Sequence, residues 1–316
     1  MTISDPSPFL FTKMPARKHN IKTTIQHWQL RDLIACPNDP YEIFHVYQNN
    51  VNIFNTKSNT VVPIMKELTF SPTSMHVGHG YIAAGGQRSQ LMVRQLATNW
   101  YAHTSVGGSI NNSIAITSHP LHGNRLLICN NDESIKVYSL PGLQRISSIQ
   151  LPTAVNYVSV SPDGTKMIAT GDVNSVFLYQ ITSNGDYSLI NTLTTSSDAG
   201  FACSWNQSSE RFAVASQDGC VSVFDIRNAS DKICKLQTHQ WPRAKGAARN
   251  VKFSPSGSID LLMFSEHVSY VHLVDARTFN ERQIIRIAPD DHDLHISGIC
   301  FSQDSKRCYI GIFKLT

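Results

Sequence analysis

A short pattern built around a serine recurs along the chain at a nearly constant interval. It reads Phe70-Ser71-Pro72, Thr117-Ser118-His119-Pro120, Val160-Ser161-Pro162, Cys203-Ser204-Trp205, Phe253-Ser254-Pro255 and Phe301-Ser302-Gln303, with successive serines 47, 43, 43, 50 and 48 residues apart. A weaker match, Ala35-Cys36-Pro37, lies 35 residues before Ser71. A period in the forties is the spacing of four-stranded propeller blades, which need neighbours to cover both faces. Seven repeats are therefore expected, and the fold class is all-β: a seven-bladed β-propeller of four-stranded antiparallel blades.

The most regular unit covers 250–287, where apolar runs at 251–253, 261–264, 271–274 and 284–287 are separated by segments rich in Ser, Pro, Gly, Asp and other polar residues. Short β-branched and aromatic runs broken by turn formers read as strands joined by hairpins. The same scheme places strands at 30–35, 42–47 and 51–55, then at 67–70, 81–84 and 90–95, and then at 113–117, 125–129 and 135–139. It continues through 157–160, 167–170 and 176–181, and through 201–204, 211–215 and 221–225. More polar outer strands fall between repeats, as at 144–150 and 189–194. Each second-to-third-strand connection is a polar turn, such as Gly85-Gly86-Gln87-Arg88 or Gln217-Asp218-Gly219, whose residue types suit a reversal in few residues.

The last repeat supplies strands at 297–301 and 307–311, and the sequence then stops at Thr316. The last blade is thus expected to be incomplete, by truncation or divergence, with residues 9–13 a less favoured filler. Residues 1–18, with scattered Pro, Ser, Thr and basic residues, read as a flexible arm, and 19–316 as the propeller. The run 21–25 is expected to be an N-terminal strand that closes the last blade, so that no edge stays open.

Two strand ends, Val223-Phe224-Asp225-Ile226-Arg227 and Leu273-Val274-Asp275-Ala276-Arg277, resemble the Trp-Asp signature of the WD-repeat β-propeller family, with the Trp replaced. No Trp-Asp dipeptide occurs, and Gly78-His79 lies in a loop instead of before a first strand. The family's hydrogen-bond network is therefore not carried over, and apolar packing is expected to hold the repeats. Residues 250–287 also resemble a short segment of unknown function found in fungal WD-repeat-like proteins. The family resemblance implies a protein-interaction scaffold or adaptor, a class that includes substrate receptors of ubiquitin ligases.

Composition bounds the function. With 41% hydrophobic residues, 16% charged residues and a formal net charge of +4, the chain has ample core and no strong basic bias, which argues against a dedicated nucleic-acid or membrane binder. The seven cysteines lack C-x-x-C spacing and sit mostly within strand runs, so they read as buried thiols of a reducing compartment, cytoplasmic or nuclear. No segment approaches a membrane span. No nucleophile elbow, phosphate loop or His-Glu-x-x-His motif occurs, and Gly78-His79-Gly80 precedes a strand instead of a helix, so no enzyme, catalytic residue or cofactor is expected. The 290–295 stretch, Asp-Asp-His-Asp-Leu-His, is better explained as a solvated loop than as a metal site.

The longest connection between repeats, 238–250, contains Trp241, Arg243, Lys245 and Arg249. In a propeller it shares a face with the second-to-third-strand turns, which carry Arg88 and His267. These six residues are the candidate partner-binding set, an aromatic anchor with cations suited to a peptide, especially an acidic one. The alternative is nucleic-acid or phosphoinositide binding through the same modest basic patch, although no Phe-Arg-Arg-Gly motif is present.

Overall fold

The computed structural model describes residues 16–239, 246–289 and 291–313. Its strands form six four-stranded antiparallel sheets, each a meander in sequence order, and one two-stranded sheet of His295–Phe301 and Cys308–Phe313. The first strands of successive sheets stand side by side, and that of the two-stranded sheet returns to that of the first blade, so the ring closes around a central channel. The chain is an all-β propeller with six complete blades.

In the fourth and sixth blades and the two-stranded sheet, the repeat serine closes the first hairpin. Ser161 Oγ accepts from Lys166 N at 2.9 Å and donates to Asp163 Oδ1 at 2.5 Å. Ser302 accepts from Arg307 N at 3.0 Å, and Ser254 from Leu261 N at 2.9 Å. A hydroxyl is both donor and acceptor, so one small side chain satisfies a turn that would otherwise leave backbone groups unpaired. In the fifth blade this task falls to Asn206, whose Oδ1 accepts from Glu210 N at 3.1 Å and Arg211 N at 2.9 Å. Ser204 is therefore two residues out of register, and its Oγ accepts instead from Phe253 N of the next blade at 3.1 Å.

Apolar packing holds the blades together, as expected from the sequence. Successive blades share buried clusters, such as Val214, Val223, Val251 and Phe264 between the fifth and sixth and Leu127, Val137, Val158 and Phe177 between the third and fourth. The smallest cluster, Ile34, Cys36, Ile43, Phe54 and Cys300, lies between the first blade and the two-stranded sheet. Outer strands such as Arg145–Gln150 and Tyr187–Thr194 are largely exposed. The outer strand of the sixth blade, Arg282–Arg286, is the buried exception.

Three strand assignments change. The first strand of the second blade is Ser74–Gly78, not 67–70. Glu67 adopts a positive φ of 48°, incompatible with a strand, while Leu68 and Phe70 are buried as loop residues and so mimic a strand's pattern. In the first blade only Ile34–Ala35 is strand, and 30–33 are irregular. The 21–25 run is not a strand. It lies across the seam, with Thr24 N bonded to Val46 O at 3.2 Å and Thr23 Oγ1 to Ile312 O at 2.9 Å, and these isolated bonds do not make a ladder. The two-stranded sheet thus has no third strand among the described residues, and 9–13 lie outside them.

All seven cysteines are free, five of them buried. Burial pushes the Cys129 thiol up to about 12, which leaves it protonated and unreactive at neutral pH.

Candidate interaction site at the channel mouth

Each first strand begins on the face that also carries the second-to-third-strand turns. The segment 26–32 crosses this face before entering the first blade. Gln26 O accepts from Gln87 Nε2 of the second blade's turn at 2.9 Å. At the other end, Asp32 drops into the channel, where its Oδ2 accepts from Lys252 Nζ of the sixth blade at 2.8 Å and from the Tyr157 hydroxyl of the fourth. Lys252 also donates to Tyr157 Oη at 2.7 Å, and Asn250 Nδ2 donates to Arg31 O at 2.6 Å and to Asp32 Oδ1 at 3.2 Å.

These three side chains divide the channel. Above them is a cavity of about 10 Å³ bounded by Arg31, Arg249, Asn112, Ser113 and Phe201 among others. Below is a cavity of about 290 Å³ that includes His76, Pro37, Phe253 and Cys300 in its wall. Burial alone would depress the Lys252 ammonium, but the Asp32 charge and its hydrogen bonds hold it above its ordinary range. Burial, then the Asp32 charge, raises the Tyr157 hydroxyl. The arrangement is a strut of an anion, a cation and a neutral phenol.

At the surface above the small cavity, Trp28 is 63% exposed, an unusual state for a large aromatic. The Arg249 guanidinium lies 5.7 Å from the Trp28 ring centroid and 4.3 Å from that of Phe201, while its Nε contacts His267 Nδ1 at 3.3 Å. His27 stacks beside Trp28, and His295 packs edge-on to His267 at 5.2 Å. Arg31 donates to His27 O, folding the segment back on itself. Burial, then Arg249 and Arg31, hold the His267 imidazole at about 4, so it is neutral at physiological pH.

Of the six sequence-predicted residues, three are described. Arg249 and His267 meet, but Arg249 belongs to the strand Ala248–Phe253 and is 5% exposed, so it supports the surface instead of forming it. Arg88 is exposed on the turn next to Gln87, on the same face. Trp241, Arg243 and Lys245 lie outside the described residues. The aromatic that the described residues place at the mouth is Trp28. The available signal was polarity: an Arg31-Asp32 pair fits poorly in an innermost strand. In the 290–295 stretch, Asp293 accepts from Ser269 Oγ at 2.6 Å and His292 contacts Asp291 at 2.8 Å, while Asp290 lies outside the described residues.

A propeller with its channel braced by partly buried polar side chains and an aromatic exposed at one mouth defines the class. Residues 64–243 match the family described as Lethal giant larvae (Lgl) like, C-terminal, and residues 246–286 match an uncharacterised protein domain, DUF2415. The chain is 35% identical over 309 residues to an uncharacterized protein of Schizosaccharomyces pombe, covering 93% of this chain and 87% of that protein. It is 26% identical over 223 residues to an uncharacterized protein of Saccharomyces cerevisiae, covering 59% of this chain and 30% of that protein. The chain belongs to the Lgl-like C-terminal family, with uncharacterised fungal homologues and a DUF2415 segment as its sixth blade.

Proposed function

We propose that this protein is a non-enzymatic protein–protein interaction scaffold or adaptor that presents the mouth of its channel to a peptide segment of a partner, in the cytoplasm or nucleus. The observation that carries this reading is Trp28, a large aromatic left 63% exposed at the centre of a face where Arg249 and Phe201 back it. A rigidly supported aromatic supplies contact area at small entropic cost, the usual chemistry of a binding hot spot. The strut of Asp32, Lys252 and Tyr157 is satisfied internally, which favours a structural over a catalytic role. In this reading the two-stranded sheet is the incomplete seventh blade, and 21–25 seal its seam with the first.

Nucleic-acid or phosphoinositide binding is the weaker reading, because burial withdraws Arg249 from the proposed basic patch. The test is crosslinking mass spectrometry on the tagged protein, followed by affinity measurement with the purified partner. Trp28→Ala should weaken that complex by about 2 kcal/mol, whereas the outer-strand control Val62→Ser should leave it unchanged. A partner that binds Trp28→Ala with wild-type affinity rejects the proposed face.

A further inference from the structure

Arg31 and Arg249 are each 5% exposed and border the same cavity at the head of the channel. Arg31 Nε and Arg249 Nη1 are buried without a hydrogen-bond acceptor. Among the described residues no carboxylate forms an ion pair with either one. The nearest candidate, Asp32, is committed to Lys252, Tyr157 and Asn250. Among the described residues, two cations thus share a buried site without a carboxylate paired to either, an arrangement that costs far more than a buried neutral group. Losing a proton does not resolve it: burial, and for Arg31 the neighbouring Arg249, lower both guanidinium groups only to about 10, so both stay charged at neutral pH. The surrounding imidazoles of His27, His267 and His295 are lowered and bring no negative charge, and Asp172 and Asp293 act on these imidazoles only as smaller opposing influences.

Size selects the counterion. The cavity, about 10 Å³, holds a single water-sized group. Sulfate and phosphate are too large, and among common anions a monoatomic halide comes nearest to that size. Ser113 Oγ, also unpartnered on this wall, offers a further donor. We propose that this cavity is a binding site for a halide-sized anion, with chloride as its solution ligand, held between Arg31 and Arg249. The anion fastens the segment 26–32, which carries Arg31 and Trp28, to the sixth blade, which carries Arg249. The competing occupant is water, which would satisfy Ser113 and the unpartnered amide oxygens of Asn112 and Asn250 but would leave both charges uncompensated.

The test is thermal denaturation of the full chain, prepared in sodium gluconate and titrated with sodium chloride, bromide, gluconate or sulfate at matched ionic strength. Chloride and bromide should raise the Tm saturably, by roughly 2–4 °C at tenfold saturation, while gluconate should not and sulfate should give only the non-saturating rise of an excluded salt. Arg31→Gln and Arg249→Gln should each abolish the halide response. In wild-type crystals grown with bromide, an anomalous peak between the two guanidinium groups is expected, a readout that holds even if neither variant folds. Equal shifts in all four salts would indicate general screening and overturn the proposal. So would a halide response retained in both variants, or a bromide-free cavity.

Discussion

Lys252 Nζ donates to Asp32 Oδ2 at 2.8 Å, an ion pair that joins the first strand of the sixth blade to the segment entering the first. The two side chains are 25% and 20% exposed, so water screens the pair only in part. Tyr157 of the fourth blade completes the contact, which makes the pair a brace across the ring instead of a link between adjacent blades.

Breaking this brace should cost more from the anionic side. Asp32→Ala strands Lys252 and removes the acceptor for Tyr157 and one of the two for Asn250, and we expect a loss of about 3–5 kcal/mol in urea denaturation. Lys252→Met leaves Asp32 two donors and should cost less. The double variant should recover roughly 1–3 kcal/mol of coupling. Additive losses would show that the two side chains act independently.

The serine register is open to a direct comparison. Asn206 Oδ1 satisfies two backbone amides of its hairpin, and Ser204 Oγ satisfies one across the blade interface. We expect Asn206→Ala to lower stability by about 2 kcal/mol and Ser204→Ala by about 1 kcal/mol. The reverse order would restore Ser204 as the repeat residue.

What the sequence made legible follows from the same physics. The period was visible because Ser161, Ser254 and Ser302 perform one hydrogen-bonding task at one place in each blade. Strands between turns, such as Arg211–Ser216 and Cys220–Asp225, were legible because their apolar runs end where the backbone reverses. The first strand of the second blade was not, since buried loop residues Leu68 and Phe70 carry the same apolar signal as a strand. The site was less legible still. Trp28 and Arg31 reach Arg249 only through the ring's closure, a contact more than 200 positions apart in sequence that no local pattern encodes.

Acid should weaken the fold through its buried imidazoles. Burial lowers His45, His76 and His267 to about 4, below the ordinary 6.5. The unfolded chain therefore takes up protons at these sites between pH 6.5 and 4 while the folded chain does not, so their stabilising contribution is present above 6.5 and is lost as pH falls through 4. Glu266 opposes this trend. Burial lifts its carboxyl from 4.5 to about 7, so its contribution is present below 4.5 and is lost as pH rises through 7. Denaturation midpoints measured from pH 4 to 8 should fall on acidification, less steeply in His45→Phe and more steeply in Glu266→Gln. An unchanged slope in His45→Phe would mean that this imidazole titrates normally in the fold.

The seam between the first blade and the two-stranded sheet should open on its own. A methyl group at Gly298 would lie 3.0 Å from Leu33 N and 3.1 Å from Ile34 N, backbone atoms that cannot swing aside. The adjoining apolar cluster is the smallest in the ring, so Gly298→Val can be relieved by parting the two sheets without dismantling the others. Amide exchange should accelerate in Ile34–Ala35, His295–Phe301 and Cys308–Phe313 while Asn111–His119, on the third blade, keeps its protection. Gly200→Ala provides the contrast. Its methyl would overlap Thr170 Oγ1 between the fourth and fifth blades, where the largest cluster packs, so relief there requires disturbing the core. That variant should lose stability globally, with exchange rising in every blade. If Gly298→Val also loosened all blades together, the ring would be one cooperative unit and its seam no weaker than the rest.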